Sequence, residues 1–225
     1  MLSHEPTILL DLDGALVDSQ PGILSSCRAA LRALGHDPAP TLDLSAVIGP
    51  PIEDGMRLLL GAYGDDRVAE AVAAYRADYG QTGLFDSPPY PGIEAALAEM
   101  RQAGAQLILA TSKRRVFAQR ILEHGGLDGF FAAIHGSEPG GALDHKPELI
   151  SHIAARHALA PRRCVMVGDR RYDIAGAHAN GMRALGVLWG YGTREELEAA
   201  GADGLVAHPE ALPAAALAMA AAATA

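Results

Sequence analysis

Two aspartates, Asp11 and Asp13, close the apolar run Thr7-Ile8-Leu9-Leu10 and are followed at once by Gly14. The two are two apart, so as the strand ends one carboxylate can face the site while Leu12 turns into the core and Gly14 permits the turn. Such a pair divides labour. One carboxylate, kept ionised, can attack phosphorus, and the other can give a proton to a leaving oxygen and later take one from water. Alone, the pair reads equally well as an acidic turn at a strand end.

A carboxylate does not approach a phosphate unaided, because both are anions. A divalent cation answers that need, and Mg²⁺ favours a few carboxylates, phosphate oxygens and water. Asp169, after Val165-Met166-Val167-Gly168, offers a further hard oxygen. Asp173 follows one helical turn later, placed to hold a metal-bound water or to cap the helix running toward Asn180-Gly181. Thr111 supplies a hydroxyl, and Ser112 with the amides after it, read as a helix start, can donate to phosphate oxygens; a Thr-Ser pair there is also an ordinary cap. Lys146 precedes Pro147, a good first helical residue, which sets its ammonium near any phosphate at that helix end. In Lys113-Arg114-Arg115 the two arginines read as a solvated helix face.

Elements must bring these residues together. Short apolar runs recur at Thr7–Leu10, Leu107–Ala110, Cys164–Val167 and Arg183–Leu188, separated by helical stripes such as Val116, Phe117 and Ile121, then Leu149, Ile150 and Ile153. That rhythm predicts an α/β fold, a doubly wound parallel sheet of Rossmann-like type, in which ligands bind beyond the carboxyl ends of the strands. The stretch between the first two strands is far longer than the dozen residues of a simple crossover. Ile23, Leu24, Cys27, Leu31 and Leu34 form one helical stripe in it, and Val68, Val72, Tyr75 and Tyr79 another. Residues 17–86 are therefore expected to be an α-helical cap inserted after the first strand. Residues 1–16 and 87–225 form the catalytic core, re-entered through Ser87-Pro88-Pro89-Tyr90-Pro91-Gly92.

Composition narrows the function. The chain has 225 residues, 49% hydrophobic and 20% charged, with a formal net charge of -9, which gives no support to nucleic-acid binding. The two cysteines, Cys27 and Cys164, lie in apolar patterns far apart, and a disulfide framework is not expected. No secretory pattern is evident at residues 1–6, and the alanine-rich stretch from Pro213 is shorter than the roughly 20 apolar residues of a membrane span. The expectation is a cytoplasmic enzyme without a membrane or nucleic-acid partner. The histidines lack zinc-site spacing, and Gly190-Tyr191-Gly192 reads as a turn or site-rim loop.

Asp11-Leu12-Asp13-Gly14, Thr111, Lys146-Pro147 and Gly168-Asp169-Arg170-Arg171-Tyr172-Asp173, in that order at strand ends, resemble the four motifs of the haloacid dehalogenase superfamily. The inserted cap resembles that of the phosphoglycolate phosphatase and β-phosphoglucomutase group. Ile48-Gly49-Pro50-Pro51-Ile52-Glu53-Asp54, Ala110-Thr111-Ser112-Lys113 and Gly186-Val187-Leu188-Trp189-Gly190-Tyr191-Gly192 are similar to a bacterial 5'-nucleotidase branch. The resemblance implies Asp11 as nucleophile, Asp13 as acid and base, and Thr111 and Lys146 as phosphate binders. It implies Mg²⁺ held by Asp11, the Asp13 carbonyl and Asp169, with Asp173 supporting that shell. The cap loop with Gly49, Pro50, Glu53 and Asp54 would face the leaving group and contribute to specificity.

Two positions depart from the pattern: Ala15 stands where the family usually has threonine, and Arg114 where this branch often has proline. The expected activity is Mg²⁺-dependent hydrolysis of a small phosphorylated metabolite, a nucleoside 5'-monophosphate being one candidate and phosphoglycolate another. A phosphomutase would use the same two aspartates, and a non-catalytic phosphometabolite-binding protein would keep only the fold. Oligomeric state is not readable from the pattern.

Overall fold

Thr7–Leu10 (β1), every side chain of it buried, is the central strand of the sheet in a computed structural model, which describes residues 6–39, 42, 47, 51–141 and 143–222. The remaining strands are Gln106–Arg114 (β2), Ala133–Ser137 (β3), Cys164–Gly168 (β4), Arg183–Val187 (β5) and Gly204–Val206 (β6). All pair in parallel, in the order β3-β2-β1-β4-β5-β6. Helices cover the sheet because parallel strands need crossovers and have two apolar faces to bury.

Register places the candidate residues. Leu10 lies opposite Leu109 of β2 and Val167 of β4. Asp11 follows Leu10 directly, and Thr111 and Asp169 each follow their paired residue by two positions, so all three emerge at one sheet edge. The Asp11 amide adds one more ladder bond, to the Val167 carbonyl at 2.9 Å. The order reverses on either side of β1, and this is the switch point where open α/β sheets bind ligands.

The chain divides into two compact units, one of residues up to Asp18 and from Pro89 onward, the other Ser19–Pro88. The second unit contains Gln20–Ala33 (α1), Ile52–Gly61 (α2) and Val68–Gln81 (α3). Ile23, Cys27 and Leu31 of α1 and Val72, Tyr75 and Tyr79 of α3 are buried, and the rings of Tyr75 and Tyr79 stack 5.3 Å apart. Burial pushes the Cys27 thiol up to about 12, so it packs as a small apolar group. The sequence reading missed α2 and treated its start as loop. Its apolar positions Met56, Leu59 and Leu60 form a buried stripe, but the run is short and begins beside residues outside the description.

The sheet unit carries Ile93–Gln102 (α4), Arg115–His124 (α5), Lys146–Arg156 (α6), Arg171–Ala179 (α7), Arg194–Ala199 (α8) and Leu212–Ala221 (α9). Leu9, Ile108 and Met166 from the central strands meet Leu149, Ile150 and Ile153 of α6 and Ile174 of α7 in one core cluster. Each such side chain, fully buried, stabilises the fold by about 1.5–3 kcal/mol. Two expectations need correcting. The helix does not start at Ser112, because β2 runs on to Arg114 and α5 begins at Arg115. Val116 is half exposed, and the buried face of α5 is Ala118, Ile121 and Leu122.

Three histidines meet between β3 and α6: the Nε2 atoms of His135 and His157 lie 2.8 Å apart, and His152 meets the His135 ring edge-on. Burial, with His157, His152, Arg156 and Arg115 nearby, pushes His135 down to about 4, and His157 is also lowered. The unfolded chain therefore takes up these protons first, near pH 6.5, and the folded state resists. The stability is present above that value and is lost as the pH falls toward 4. A thermal midpoint that drops between pH 7 and pH 5 in the wild type, and drops less in His135→Gln, is the expected result; equal slopes would remove the assignment.

Candidate active site

Asp11, Asp169 and Asp173 converge in the interior, each offering one carboxylate oxygen within 4.8 Å of the others. Asp169 is wholly buried and Asp173 nearly so. A single ammonium answers them directly. Lys146 Nζ lies 2.8 Å from Asp11 Oδ1 and 2.6 Å from Asp173 Oδ1, and it donates to the Ala110 carbonyl at 2.8 Å. The contact to Ala110 is a hydrogen bond and the two to the carboxylates are ion pairs. Lys146, read from sequence as ahead of a helix, is the first residue of α6 and is buried rather than a solvated surface charge.

Three carboxylates against one ammonium leave a formal excess of two negative charges in a dry site. The titration behaviour reflects this. Burial pushes Asp11 up to about 6 against the pull of Lys146, with the Asp173 charge adding to the rise. Burial, then the Asp173 and Asp11 charges, holds Asp169 well above the usual carboxylate range. For Lys146, burial alone would lower the ammonium, but Asp11 and Asp173 outweigh it and hold it above its ordinary value. A divalent cation matches the excess in sign and size.

The donor set also fits Mg²⁺ in kind, being all carboxylate oxygen. Asp169 spends Oδ2 on the Tyr191 amide, 2.7 Å away, and its buried Oδ1 has no hydrogen-bond partner. Asp173 divides its oxygens differently. Oδ2 accepts from the Arg170 amide at 3.1 Å, capping α7, while Oδ1 faces Lys146. The expected cap is thus made by Oδ2, while Oδ1 pairs with Lys146.

The first loop is wound tightly beside this cluster. The Gly14 amide donates to the Val17 carbonyl at 3.0 Å, and the amides of Leu16 and Val17 both donate to the Leu12 carbonyl. Gly14 has φ +83°, and a Cβ there would collide with the Asp169 carboxylate, so glycine is required twice over. Asp13 stands outside the three-carboxylate cluster. Its Oδ1 accepts from Lys113 Nζ at 2.8 Å. Lys113 is thus the residue that sequence reading undervalued: its neighbours Arg114 and Arg115 look like surface charge, while its own head group reaches the first loop.

Thr111 is buried, and its Oγ1 accepts from the Lys113 amide at 3.2 Å. Ser112 is half-buried, in the strand rather than at a helix end. Behind the first loop, Tyr191 Oη donates to Asp18 Oδ1 at 3.0 Å, and burial beside the Asp18 charge pushes the Tyr90 phenol up to about 12. Of the specificity candidates, Gly49 and Pro50 lie outside the described residues. Glu53 and Asp54 occupy the first turn of α2 rather than a loop, and pair with Arg76 at 2.7 Å and Arg57 at 2.6 Å.

A parallel sheet with a carboxylate-lined switch point, an aspartate directly after the central strand and a lysine at a helix start is the arrangement of a class of hydrolases. The haloacid dehalogenase-like hydrolase family matches residues 8–187, and the chain belongs to that family. It is 41% identical over 196 residues to the 5'-nucleotidase of Pseudomonas aeruginosa, covering 86% of this chain and 87% of that protein. It is 40% identical over 193 residues to the tyrosine-protein kinase PtkA of Mycobacterium tuberculosis, covering 85% of this chain but 65% of that longer protein. Among solved structures, one described as a predicted phosphatase from Clostridium acetobutylicum superimposes with a TM-score of 0.87 at 34% identity, covering 96% of this chain and all of that one. Among the described residues no helix is long and apolar enough to cross a membrane.

Proposed function

We propose that the chain hydrolyses a small phosphomonoester in two in-line steps through a phosphoryl group carried on Asp11, in the cytoplasm. The observation that carries this is the buried cluster of Asp11, Asp169 and Asp173 with one compensating lysine, whose excess charge suits a divalent ion and, with it, a phosphate. Mg²⁺, held by Asp11, Asp169 and the Asp13 carbonyl with Asp173 behind them, would neutralise the phosphate oxygens and the attacking carboxylate.

The chain's own groups supply the rest. An Asp11 oxygen bonds to phosphorus as the ester P–O bond breaks, and Asp13 gives its proton to the leaving oxygen. Water then attacks the phosphorus of the aspartyl phosphate, Asp13 takes the water proton, and the bond to Asp11 breaks to release inorganic phosphate. Lys113 holds Asp13 Oδ1, leaving Oδ2 for the proton. Thr111 and Ser112 offer hydroxyls to the phosphate, and Lys146 offers its charge. Glu53 and Asp54, with Gly49 and Pro50, are assigned to recognition of the leaving group by resemblance.

The name of the Pseudomonas relative favours a nucleoside 5'-monophosphate as substrate. The test is a phosphate-release screen with Mg²⁺ over nucleoside monophosphates, sugar phosphates and phosphoglycolate. Equimolar phosphate and alcohol are expected, with nucleoside monophosphates giving the highest kcat/KM. Sugar-phosphate interconversion without phosphate release would instead establish a mutase. Phosphotyrosine formed from ATP on a peptide, with no monoester hydrolysis, would favour the activity in the mycobacterial relative's name.

A further inference from the structure

Between Val187 and Arg194 runs a short connection that the mechanism above does not use, yet it reaches both parts of the site. Its start extends the sheet, with the Leu188 amide donating to the Val206 carbonyl at 3.0 Å. Next, the indole Nε1 of Trp189 donates to the carbonyl of Ala15 at 3.0 Å. The Tyr191 amide then donates to Asp169 Oδ2, and the Tyr191 hydroxyl to Asp18 Oδ1. Gly190 passes so close that a Cβ would strike the Gly14 carbonyl and Asp169 itself. Three consecutive residues thus tie down both ends of the loop 14–18 and one oxygen of Asp169.

We infer that residues 189–191 are a strap that sets metal affinity, with Trp189 and Tyr191 as positioning residues that fix the first loop and aim Asp169 Oδ1; this rests on reading Asp11 and Asp169 as holders of the divalent ion. The physical case is one of constraint. Asp169 is fixed by one hydrogen bond to a backbone amide, so the position of that amide decides where the partnerless oxygen points. The amide is itself held in place by the indole of Trp189, two residues before it, and by the phenol of Tyr191, on the same residue. Ala15 sharpens the point, because it has no hydroxyl with which to brace the loop from within, and the indole N–H fastens its carbonyl from outside. Supporting partners of this kind affect metal affinity by about 10–100-fold.

The measurement is Mn²⁺ binding followed by the electron paramagnetic resonance signal of the free ion, with no substrate present. Trp189→Phe keeps an aromatic ring but removes the indole donor together with the five-membered ring; Tyr191→Phe removes only the hydroxyl and is the cleaner of the two. Each is expected to weaken the Mn²⁺ Kd by about 10-fold or more while the chelator-treated protein melts as the wild type does. At saturating Mg²⁺ the substrate KM should stay near wild type. A Kd within twofold of wild type in both folded variants overturns the strap. If Trp189→Phe does not fold, Tyr191→Phe decides by the same criterion. Asp169→Asn is the separate control: Mn²⁺ binding that survives it undoes the reading of the carboxylates as the ion's holders, whatever the strap variants do.

Discussion

Asp11→Asn lowers phosphate release from an aryl phosphate by about 10⁴-fold or more while the metal-free protein melts at a higher temperature than the wild type. Both halves come from one carboxylate. The amide is no nucleophile toward phosphorus, so the two-step route is closed. The stability gain follows from charge. Asp11 in the folded, metal-free chain is raised to about 6 from 3.8, so the folded state binds this proton more tightly than the unfolded one. That preference favours the fold below pH 3.8 and is lost as the pH rises through 6, which costs about 3 kcal/mol at neutral pH. Asparagine removes the cost, and Lys146 keeps Asp173 and the Ala110 carbonyl as partners. Phosphate-release assays and melting scans in chelator check the pair. Near-normal turnover in a folded Asp11→Asn protein would sink the nucleophile assignment.

Magnesium should stabilise the protein strongly, and Asp169→Asn should abolish that response. An ion that binds only the folded state adds about 2.7 kcal/mol at one hundred times its Kd, which for a chain of this size raises the midpoint by about 5 °C or more. Relief of the crowded carboxylates is the source of that affinity here. Without the ion, Asp169 is held above its normal range by burial and by its two acidic neighbours. In Asp169→Asn the amide oxygen can still accept from the Tyr191 amide, so the fold should persist, but the position of the partnerless oxygen is then taken by an uncharged NH₂ group that cannot ligate the ion. Melting scans with Mg²⁺ and with chelator separate the cases. A full Mg²⁺ response in Asp169→Asn would show that the ion sits elsewhere.

The central strands were legible because they are buried on both faces and read as unbroken apolar runs ending in polar residues. β3 and β6 were not, since the first mixes Ala133, His135 and Gly136 with a single large apolar residue and the second is three residues long. Edge strands bury less and carry a weaker pattern. Among site residues, Asp11 and Asp169, which directly follow their strands, and Thr111, which lies inside β2, could be placed from the sequence, because register alone brings them to one edge. Lys113 could not, because whether a lysine beside two arginines turns inward depends on where β2 ends, and β2 runs past the point where a helix was expected. The contacts of Trp189 and Tyr191 span more than 170 residues of sequence and leave no local periodicity. The three-carboxylate cluster was legible in its members, but its net charge became evident only with Lys146 set against Asp11 and Asp173.

The nucleophilic role of Asp11 is tested most directly by catching the phosphoryl group. In Asp13→Asn, an aryl phosphate needs no acid to depart, so the first step proceeds, but no base remains to activate water for the second. Acid quenching of this variant after mixing with Mg²⁺ and the aryl phosphate, followed by mass analysis of its peptides, should find one phosphoryl group on the peptide containing Asp11, together with a stoichiometric burst of aryl alcohol. A burst with the phosphoryl group on another residue, or steady turnover with no modified peptide at any quench time, would contradict the account.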